Sequence, residues 1–217
     1  MIYIYKDSIG SVDLVDHMGN DKTIVNAARV SFGRDSKLPL SMKDAKLIRY
    51  LYKNSHTSPF EHCTITWKFV VPLFVRSQHM RHRTWSFNEI SRRYTSENIR
   101  FYIPEALRTQ HDNDRQSSNQ DTHVHNALHH ITDCVSHCME AYNDLLYKGV
   151  CREQARMVLP QNLYTEYYGT VNLHNAIKFI GLRSSSHAQS EIVSVANAMR
   201  QDLMRLFPTA MSAMTEL

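Results

Sequence analysis

The clearest pattern along the chain runs from Cys63 to Val71. Ile65, Trp67, Phe69 and Val71 fall on one side, and Thr64, Thr66 and Lys68 on the other. That period of two predicts a β-strand with one buried face, ended by Pro72. Ile2 to Tyr5 predicts a second, shorter strand. Asp21 to Phe32 has the helical period, with Ile24, Ala27, Ala28 and Ser31 on one face. Ser41 with Asp44 forms a capping box opening a helix along Leu47, Ile48, Leu51 and Tyr52 that ends near Asn54. Leu73 to Arg81 predicts a helix turning back from the strand.

The C-terminal half is mostly helical in pattern. Thr109 to Gln120 is polar and aperiodic, hence a loop. From Asp121 to Tyr147, Val124, Leu128, Ile131, Val135, Cys138, Tyr142 and Leu145 recur in alternating steps of four and three. That is the seam of helix-on-helix packing, within the chain or between copies of it. Cys151 to Leu159 predicts a short helix stopped by Pro160. Asn162 to Val171 fits a strand or a buried helix, and Leu173 to Leu182 a helix. Ser186 with Gln189 reads as a second capping box, opening a helix along Ile192, Val195, Met199, Leu203 and Leu206. The mixture is α+β: mostly helix with a smaller sheet.

Composition adds limits. With 217 residues, 42% hydrophobic and 21% charged, the chain is long enough to bury a core and is not disordered in bulk. No apolar run reaches membrane-spanning length, and the first residues lack a signal-peptide pattern, so a cytoplasmic protein without a membrane partner is expected. Four cysteines without a Cys-x-x-Cys pair are expected to be free thiols. His130, Cys134 and His137 fall on one helical face, flanked by His123, His125 and His129. They lack paired short-spacing ligands, so no metal site is expected.

The charge is unevenly placed. Residues 76–100 hold six arginines against two glutamates, with no lysine or aspartate, a local excess equal to the whole formal net charge of +4. Guanidinium groups bind phosphate through paired, directed hydrogen bonds. Interleaved with Trp85, Phe87 and Tyr94, they suit a ligand with both a phosphate and a flat ring. The rival reading is a single-stranded nucleic-acid-binding module in which these aromatics stack bases. A compact cluster favours a small anion over a long polyanion, so no nucleic-acid partner is expected.

The order of residues sharpens this. Arg81-His82-Arg83, then seven residues and Ser91, with Asn88-Glu89 and Arg93-Tyr94 embedded, resembles the signature of the flavin-dependent thymidylate synthases, the ThyX family. His56-Thr57-Ser58-Pro59-Phe60-Glu61-His62, Ala155-Arg156-Met157-Val158-Leu159-Pro160, Asn172, and Leu182-Arg183-Ser184-Ser185-Ser186-His187-Ala188-Gln189 resemble further segments of that family. So do Met18-Gly19-Asn20-Asp21 and Ala27-Ala28-Arg29-Val30-Ser31. The likeness spans nearly the whole chain except the loop around Thr109 to Gln120.

The resemblance implies a ThyX-like fold, mostly helical with a smaller central β-sheet, as one catalytic domain over residues 1–217. It implies a homotetramer with active sites shared between subunits. The implied reaction converts dUMP to dTMP, with methylenetetrahydrofolate as one-carbon donor and NADPH-reduced FAD as hydride source. It places His56, Ser58, Arg81, His82, Arg83, Thr84, Glu89, Asn172, His174 and Lys178 at FAD. It places Gln78, Arg81, Glu89, Ile90, Ser91, Arg92, Arg93, Arg156 and Arg183 at dUMP. Arg183 is implied as the catalytic cation against the uracil, favouring its N3-deprotonated form and pushing electron density toward C5. His174 stands where many members carry arginine, Lys178 where some carry asparagine, and Ser58 in place of a common threonine. Ser91, the second catalytic candidate, is assigned to positioning, because a hydroxyl nucleophile needs an adjacent base. No cysteine lies in an electropositive segment that would make it a thiolate.

Overall fold

The structure is a computed structural model describing residues 1–33, 37–115, 118–119 and 127–215. Five antiparallel strands form one sheet in the order β1 (Ile2–Tyr3), β2 (Ser11–Met18), β3 (Thr64–Pro72), β5 (Tyr164–Asn172), β4 (Ser86–Glu89). The central pair, β3 and β5, is in register from Thr64 opposite Asn172 to Pro72 opposite Tyr164. Ile65, Trp67, Phe69 and Val71 are fully buried, as the alternation predicts. The opposite face is polar: Thr66 and Thr170 share a hydrogen bond of 2.9 Å, and Lys68 pairs with Glu166 at 2.9 Å.

Helices cover the apolar face. They are α1 (Asp21–Arg29), α2 (Met42–Lys53), α3 (Leu73–His79), α6 (Leu173–Arg183), α7 (Ser190–Leu206) and α8 (Pro208–Thr215). Ile24, Ile48, Phe179, Ile180, Met199, Leu203 and Phe207 pack with the strand residues in one core. The indole N–H of Trp67 donates to Asp202 of α7 at 3.1 Å, which ties sheet to helix through a buried polar contact. The Ser41–Asp44 capping box forms as predicted. Burial opposes ionisation of Asp44, but Ser41, Lys22 and Arg29 outweigh it and hold the carboxyl far below the usual range.

A smaller core lies under α4 (Leu128–Tyr147) and α5 (Arg152–Ala155), where Tyr142, Ala155, Leu159 and Leu163 pack together. The predicted seam of α4 divides here. Tyr142 and Leu145 are packed in this core, whereas Leu128, Ile131, Val135 and Cys138 are half-buried and belong to neither core. Val124 and the start of the predicted helix, Asp121 to Asn126, lie outside the described residues, as do His123 and His125.

Several predictions need correction. The strand predicted from Cys63 begins at Thr64 and takes in Pro72, whose missing N–H is tolerated because it is the last residue of the ladder. Gln189, not Ser186, caps α7, and no side chain makes a capping hydrogen bond there; the Gln189 amide is used elsewhere. Ser31 is exposed, because α1 ends at Arg29 and tightens into a 3-10 turn over Val30–Phe32. The Cys151 to Leu159 helix is α5 followed by a 3-10 turn over Arg156–Val158. The ambiguous stretch before Leu173 is strand β5.

Asp21 offers a test of how the layers are joined. Its buried carboxylate accepts from the main-chain N–H groups of Thr209 at 2.8 Å and Ala210 at 3.1 Å, so the first residue of α1 satisfies the start of α8. Asp21→Ala should cost about 1–3 kcal/mol, the range for orphaning buried donors at a helix start. Denaturant unfolding should show a lower midpoint at unchanged slope; an unchanged midpoint would show the contact to be idle.

Candidate active site

The first cavity, about 540 Å³, opens where β4 leaves the sheet edge. Pairing with β5 extends past β4 through Ile90 N–H to Glu166 C=O at 2.9 Å, and the chain then turns at Ser91, whose carbonyl accepts from Tyr94 N–H at 3.0 Å. This turn and the 3-10 turn after α5 bring Glu89, Ile90, Ser91, Arg92, Arg93 and Arg156 to one lining, together with Arg76, Tyr164 and Thr165. These residues come from four separated stretches of chain.

The charges within it are partly committed. Arg76 clasps Glu89 through Nε at 3.0 Å and through a close Nη2 contact, and Thr165 donates its hydroxyl to the other carboxylate oxygen at 2.6 Å. Arg92 donates to the carbonyls of Glu97 at 2.6 Å and Asn98 at 3.3 Å, which makes it a brace for the following loop. Arg93 donates to the Tyr94 hydroxyl at 2.9 Å, and the Ser91 hydroxyl oxygen accepts from Arg93 N–H at 3.3 Å. Arg156 is exposed at the rim. Four guanidiniums around one carboxylate leave a surplus of positive charge in a concave space, a setting for a phosphate.

A second group sits at the end of α3. His79 is fully buried among Phe69, Trp85, Phe87, Tyr167 and Phe179, with Nδ1 at 2.9 Å from the Tyr167 hydroxyl. Burial above all, then the nearby His82 and Arg183, pushes its pKa well below the usual histidine value, so the ring is neutral. Gly169 lacks the Cβ that would come within 3.0 Å of Phe69 and 3.2 Å of Trp85, so the aromatic box closes. This plug fixes the turn that carries Gln78, Arg81, His82 and Arg83 outward.

Arg183, at the end of α6, reaches that turn. Its Nε donates to His82 Nε2 at 3.1 Å and its Nη2 to the Gln78 carbonyl at 3.3 Å. A guanidinium has only donors, so His82 must be neutral, with its proton on Nδ1. Burial first, then the charges of Arg183 and Lys178, lowers the His82 pKa to about 4. The Gln78 side-chain amide donates to Gln189 in a close contact.

The third group lines a cavity of about 380 Å³ between the end of α2 and α6: His56, Thr57, Phe60, His174, Ile177 and Lys178. His56 is aimed by a Schellman turn. Ser55 adopts φ 56°, its N–H bonds to Tyr52 C=O at 3.1 Å, and His56 N–H bonds to Leu51 C=O at 2.8 Å. Lys53 and Lys178 beside an apolar floor of Phe60 and Ile177 suit an anionic group joined to a flat ring.

The implied residues therefore fall into three groups within one chain. Gln78, His82 and Arg183 do not line the first cavity. Arg81, Arg83, Thr84 and Ser58 are exposed and line neither cavity. The side-chain oxygen of Asn172 caps α6, accepting from Asn175 N–H at 3.0 Å. Motif reading assigned no role to Arg76, Thr165 or His79. Arg76 lay within the arginine-rich segment, and an Arg thirteen residues before a Glu carries no pairing signal until the strand is known. All four cysteines are free thiols and none lines either cavity; Cys63 is buried, with burial and Asp21 pushing its pKa up to about 12. Among the described residues no group of three His, Cys, Asp or Glu side chains is placed to hold a metal, and no helix is long and apolar enough to cross a membrane.

Comparison with known proteins gives one consistent match. The family model described as thymidylate synthase complementing protein matches residues 13–209. A flavin-dependent thymidylate synthase of Thermus thermophilus is 44% identical over 207 residues, covering 95% of this chain and 76% of that protein. One from Ehrlichia ruminantium is 42% identical over 215 residues, covering 95% of this chain and 71% of that protein. The solved structure of the UMP/dUMP methylase PolB from Streptomyces cacaoi, bound with 5-Br dUMP, superposes with a TM-score of 0.90 at 36% identity, covering 100% of this chain and 98% of that one.

The neutral His82 gives a pH prediction. In the unfolded chain the ring binds a proton near its ordinary value of about 6.5, and in the fold only near 4. Between those values the unfolded chain holds more protons, so this contribution to stability is complete above about 6.5 and lost as pH falls toward 4. Nuclear magnetic resonance titration should place the His82 ring near 4 and move it upward in Arg183→Ala. An ordinary histidine titration in the native protein would show that Arg183 is not held by this ring.

Proposed function

The chain belongs to the thymidylate synthase complementing protein family and is a flavin-dependent thymidylate synthase; we propose that it methylates dUMP through one catalytic domain whose sites are shared between subunits. The observation that carries the substrate reading is the convergence of Ser91, Arg92, Arg93 and Arg156 on one concave, positively charged cavity. The structural relative bound with 5-Br dUMP supports a pyrimidine nucleotide there.

In this reading Arg93 and Arg156 take the phosphate and Ser91 positions it. Glu89, Ile90 and Arg92 shape the wall, and Arg76 holds Glu89 in place. Gln78, Arg81 and Arg183 approach the nucleotide from a neighbouring subunit, because within one chain they form a separate group. The half-buried seam of Leu128, Ile131, Val135 and Cys138 supports such an assembly, with the homotetramer as the proposed form. Arg183, held by His82, presses its charge against the uracil and lowers the cost of an N3-deprotonated ring, which raises electron density at C5. No thiol faces either cavity, so activation rests on that charge.

The proposed cofactor is FAD, held by His56, His174 and Lys178 at the second cavity, by Arg81, His82, Arg83, Thr84, Ser58 and Asn172 around it, and by Glu89 from the first. The cavity fits one end of such a group: Lys178 supplies charge, and Phe60 and Ile177 supply an apolar floor. When bound, the flavin supplies hydride transfer. Methylenetetrahydrofolate is the proposed carbon donor and NADPH the proposed two-electron source. The net change is dUMP, methylenetetrahydrofolate, NADPH and a proton to dTMP, tetrahydrofolate and NADP⁺. A cytoplasmic location is proposed to accompany this chemistry.

The nucleic-acid alternative loses its stacking platform. Trp85 is buried and stacked against Phe87 inside the box around His79, and only Tyr94 is exposed.

An anaerobic assay with dUMP, NADPH and methylenetetrahydrofolate should yield dTMP, and its absence with flavin bound would overturn the reading. Arg183→Ala should lower kcat about 10²–10³-fold. Arg156→Ala should raise the KM for dUMP about 10- to 100-fold, as expected for a lost charge-assisted bond. Refolding the two variants together should restore about a quarter of the sites, since in a symmetric oligomer with shared sites some combine two intact halves. No recovery would place both arginines in one subunit's site. Ser91→Ala should weaken dUMP binding yet keep measurable turnover; complete loss with normal binding would make Ser91 a nucleophile.

A further inference from the structure

Glu191 lies in the first turn of α7 and is buried. Its carboxylate receives Arg108 on both oxygens at 2.9 Å, the Gln189 side-chain amide at 2.9 Å and the Tyr102 hydroxyl at 3.5 Å, while its main-chain carbonyl accepts from Tyr5 at 3.1 Å. Burial opposes ionisation, but the hydrogen bonds from Arg108 and Gln189 outweigh it and keep the pKa below the usual glutamate value.

The chain of contacts has a direction. An ionised carboxylate only accepts hydrogen bonds. Gln189 must therefore turn its NH₂ toward Glu191 and its oxygen the other way. That oxygen accepts from the Gln78 NH₂. The Gln78 amide is thereby fixed with its own oxygen, Oε1, directed away from Gln189. The same residue's main-chain carbonyl holds Arg183 at 3.3 Å. The acceptor-only carboxylate at one end fixes which end of each amide in the chain is oxygen.

We propose that Glu191 is a positioning residue which, through Gln189, sets the Gln78 amide so that it offers an acceptor to the sugar 3′-hydroxyl of dUMP. This rests on the reading that Gln78 faces the nucleotide. Bound dUMP carries two hydrogen-bond donors, ring N3–H and the 3′-hydroxyl. Arg183 beside Gln78 favours N3 without its proton, so the hydroxyl is the donor left for Oε1.

Substitutions can reverse the direction without deleting a side chain. In Glu191→Gln, Arg108 takes the new amide's oxygen, since Arg108 can only donate. The NH₂ then faces Gln189, which flips, and Gln78 flips after it and shows dUMP a donor. In the double variant Q189E/E191Q an acceptor-only Glu at 189 again takes the Gln78 NH₂, and the original direction returns. Arg108 still lacks its carboxylate partner at 191, so a merely structural role for Glu191 would not be rescued.

The test is dUMP affinity of the flavin-loaded protein by titration calorimetry, with the thermal midpoint recorded alongside. E191Q should weaken dUMP about 5- to 20-fold, the range of a lost hydrogen bond facing an unpaired group. The double variant should return to within about twofold of the parent while its midpoint stays lowered. Gln189→Leu, which leaves Arg108 and Glu191 paired, should weaken dUMP as E191Q does, so the proposal remains testable if E191Q fails to fold. The 3′-deoxy analogue of dUMP should bind the parent and E191Q equally. Parent-like affinity in E191Q, or no rescue in the double variant, overturns the relay. Equal weakening of the analogue overturns the hydroxyl assignment. Unchanged affinity in Gln78→Ala overturns the proposal at its base, by removing Gln78 from the nucleotide.

Discussion

The unbroken register of β3 against β5 is the constraint on which the rest depends. Each strand runs without a linker into a helix, β3 into α3 at Leu73 and β5 into α6 at Leu173. The ladder therefore fixes the far ends of both helices, and Arg183 on one meets Gln78 in the last turn of the other and His82 just beyond it. The free edge of β5 takes β4, which fixes Glu89 beside Tyr167 and starts the turn carrying Ser91 to Arg93. A one-residue slip would turn every side chain of the slipped strand to the wrong face of the sheet. The buried Trp67–Asp202 bond and the Gly169 gap resist such a slip, because both are matched to one register.

So many cations in so small a region repel one another, and the fold manages this by giving most of them fixed tasks. Arg76 neutralises Glu89, Arg92 braces two carbonyls and Arg108 saturates Glu191. His79 and His82 are kept neutral by burial and by the neighbouring charges, so neither adds to the repulsion. A neutral His82 is also the acceptor that Arg183 needs. Positive charge at Arg156 and on the outer face of Arg93 borders the first cavity, where a phosphate is proposed, and Arg81 and Arg83 stand exposed outside it. On the proposed reading this arrangement favours one small anion over the continuous basic stripe that a long polyanion requires.

Much of this was legible from residue order, and the failures have physical causes. The β3 alternation and the Ser41 capping box are local signals, and both formed. Strand β2 was not recognised because Asp13, Asp16 and His17 break the apolar alternation and a bulge near Val15 shifts the phase. Strand β4 was masked by its own charged surroundings; only pairing with β5 makes Ser86–Glu89 a strand. Ser186 and Gln189 satisfied a capping pattern, but tertiary contacts claimed Gln189 for Gln78 and Glu191. The motif named which residues to expect at the site. It did not indicate that one chain divides them, because which groups share a cavity depends on elements far apart in sequence.

That division bears on the chemistry. A thymidylate-forming site without an accessible thiolate has to make C5 of uracil nucleophilic through its surroundings alone. That demands a cation held rigidly at the ring, since electrostatic stabilisation repays only charges fixed before reaction. Arg183 is fixed by two acceptors, the Gln78 carbonyl in the last turn of α3 and His82 just after it, and the end of that helix is itself plugged into the core by His79. The proposed phosphate-binding group is fixed independently by the sheet edge. Two rigid halves on separate elements can be brought together by subunit packing without either loosening. In the proposed shared site the cation's position depends on assembly, whereas its orientation is built into each chain. On the proposed reading, two buried polar groups, His79 and Glu191, lie behind the cation and the amide rather than at the cavity wall: their work there is to hold direction, and direction is what a charge-driven reaction consumes.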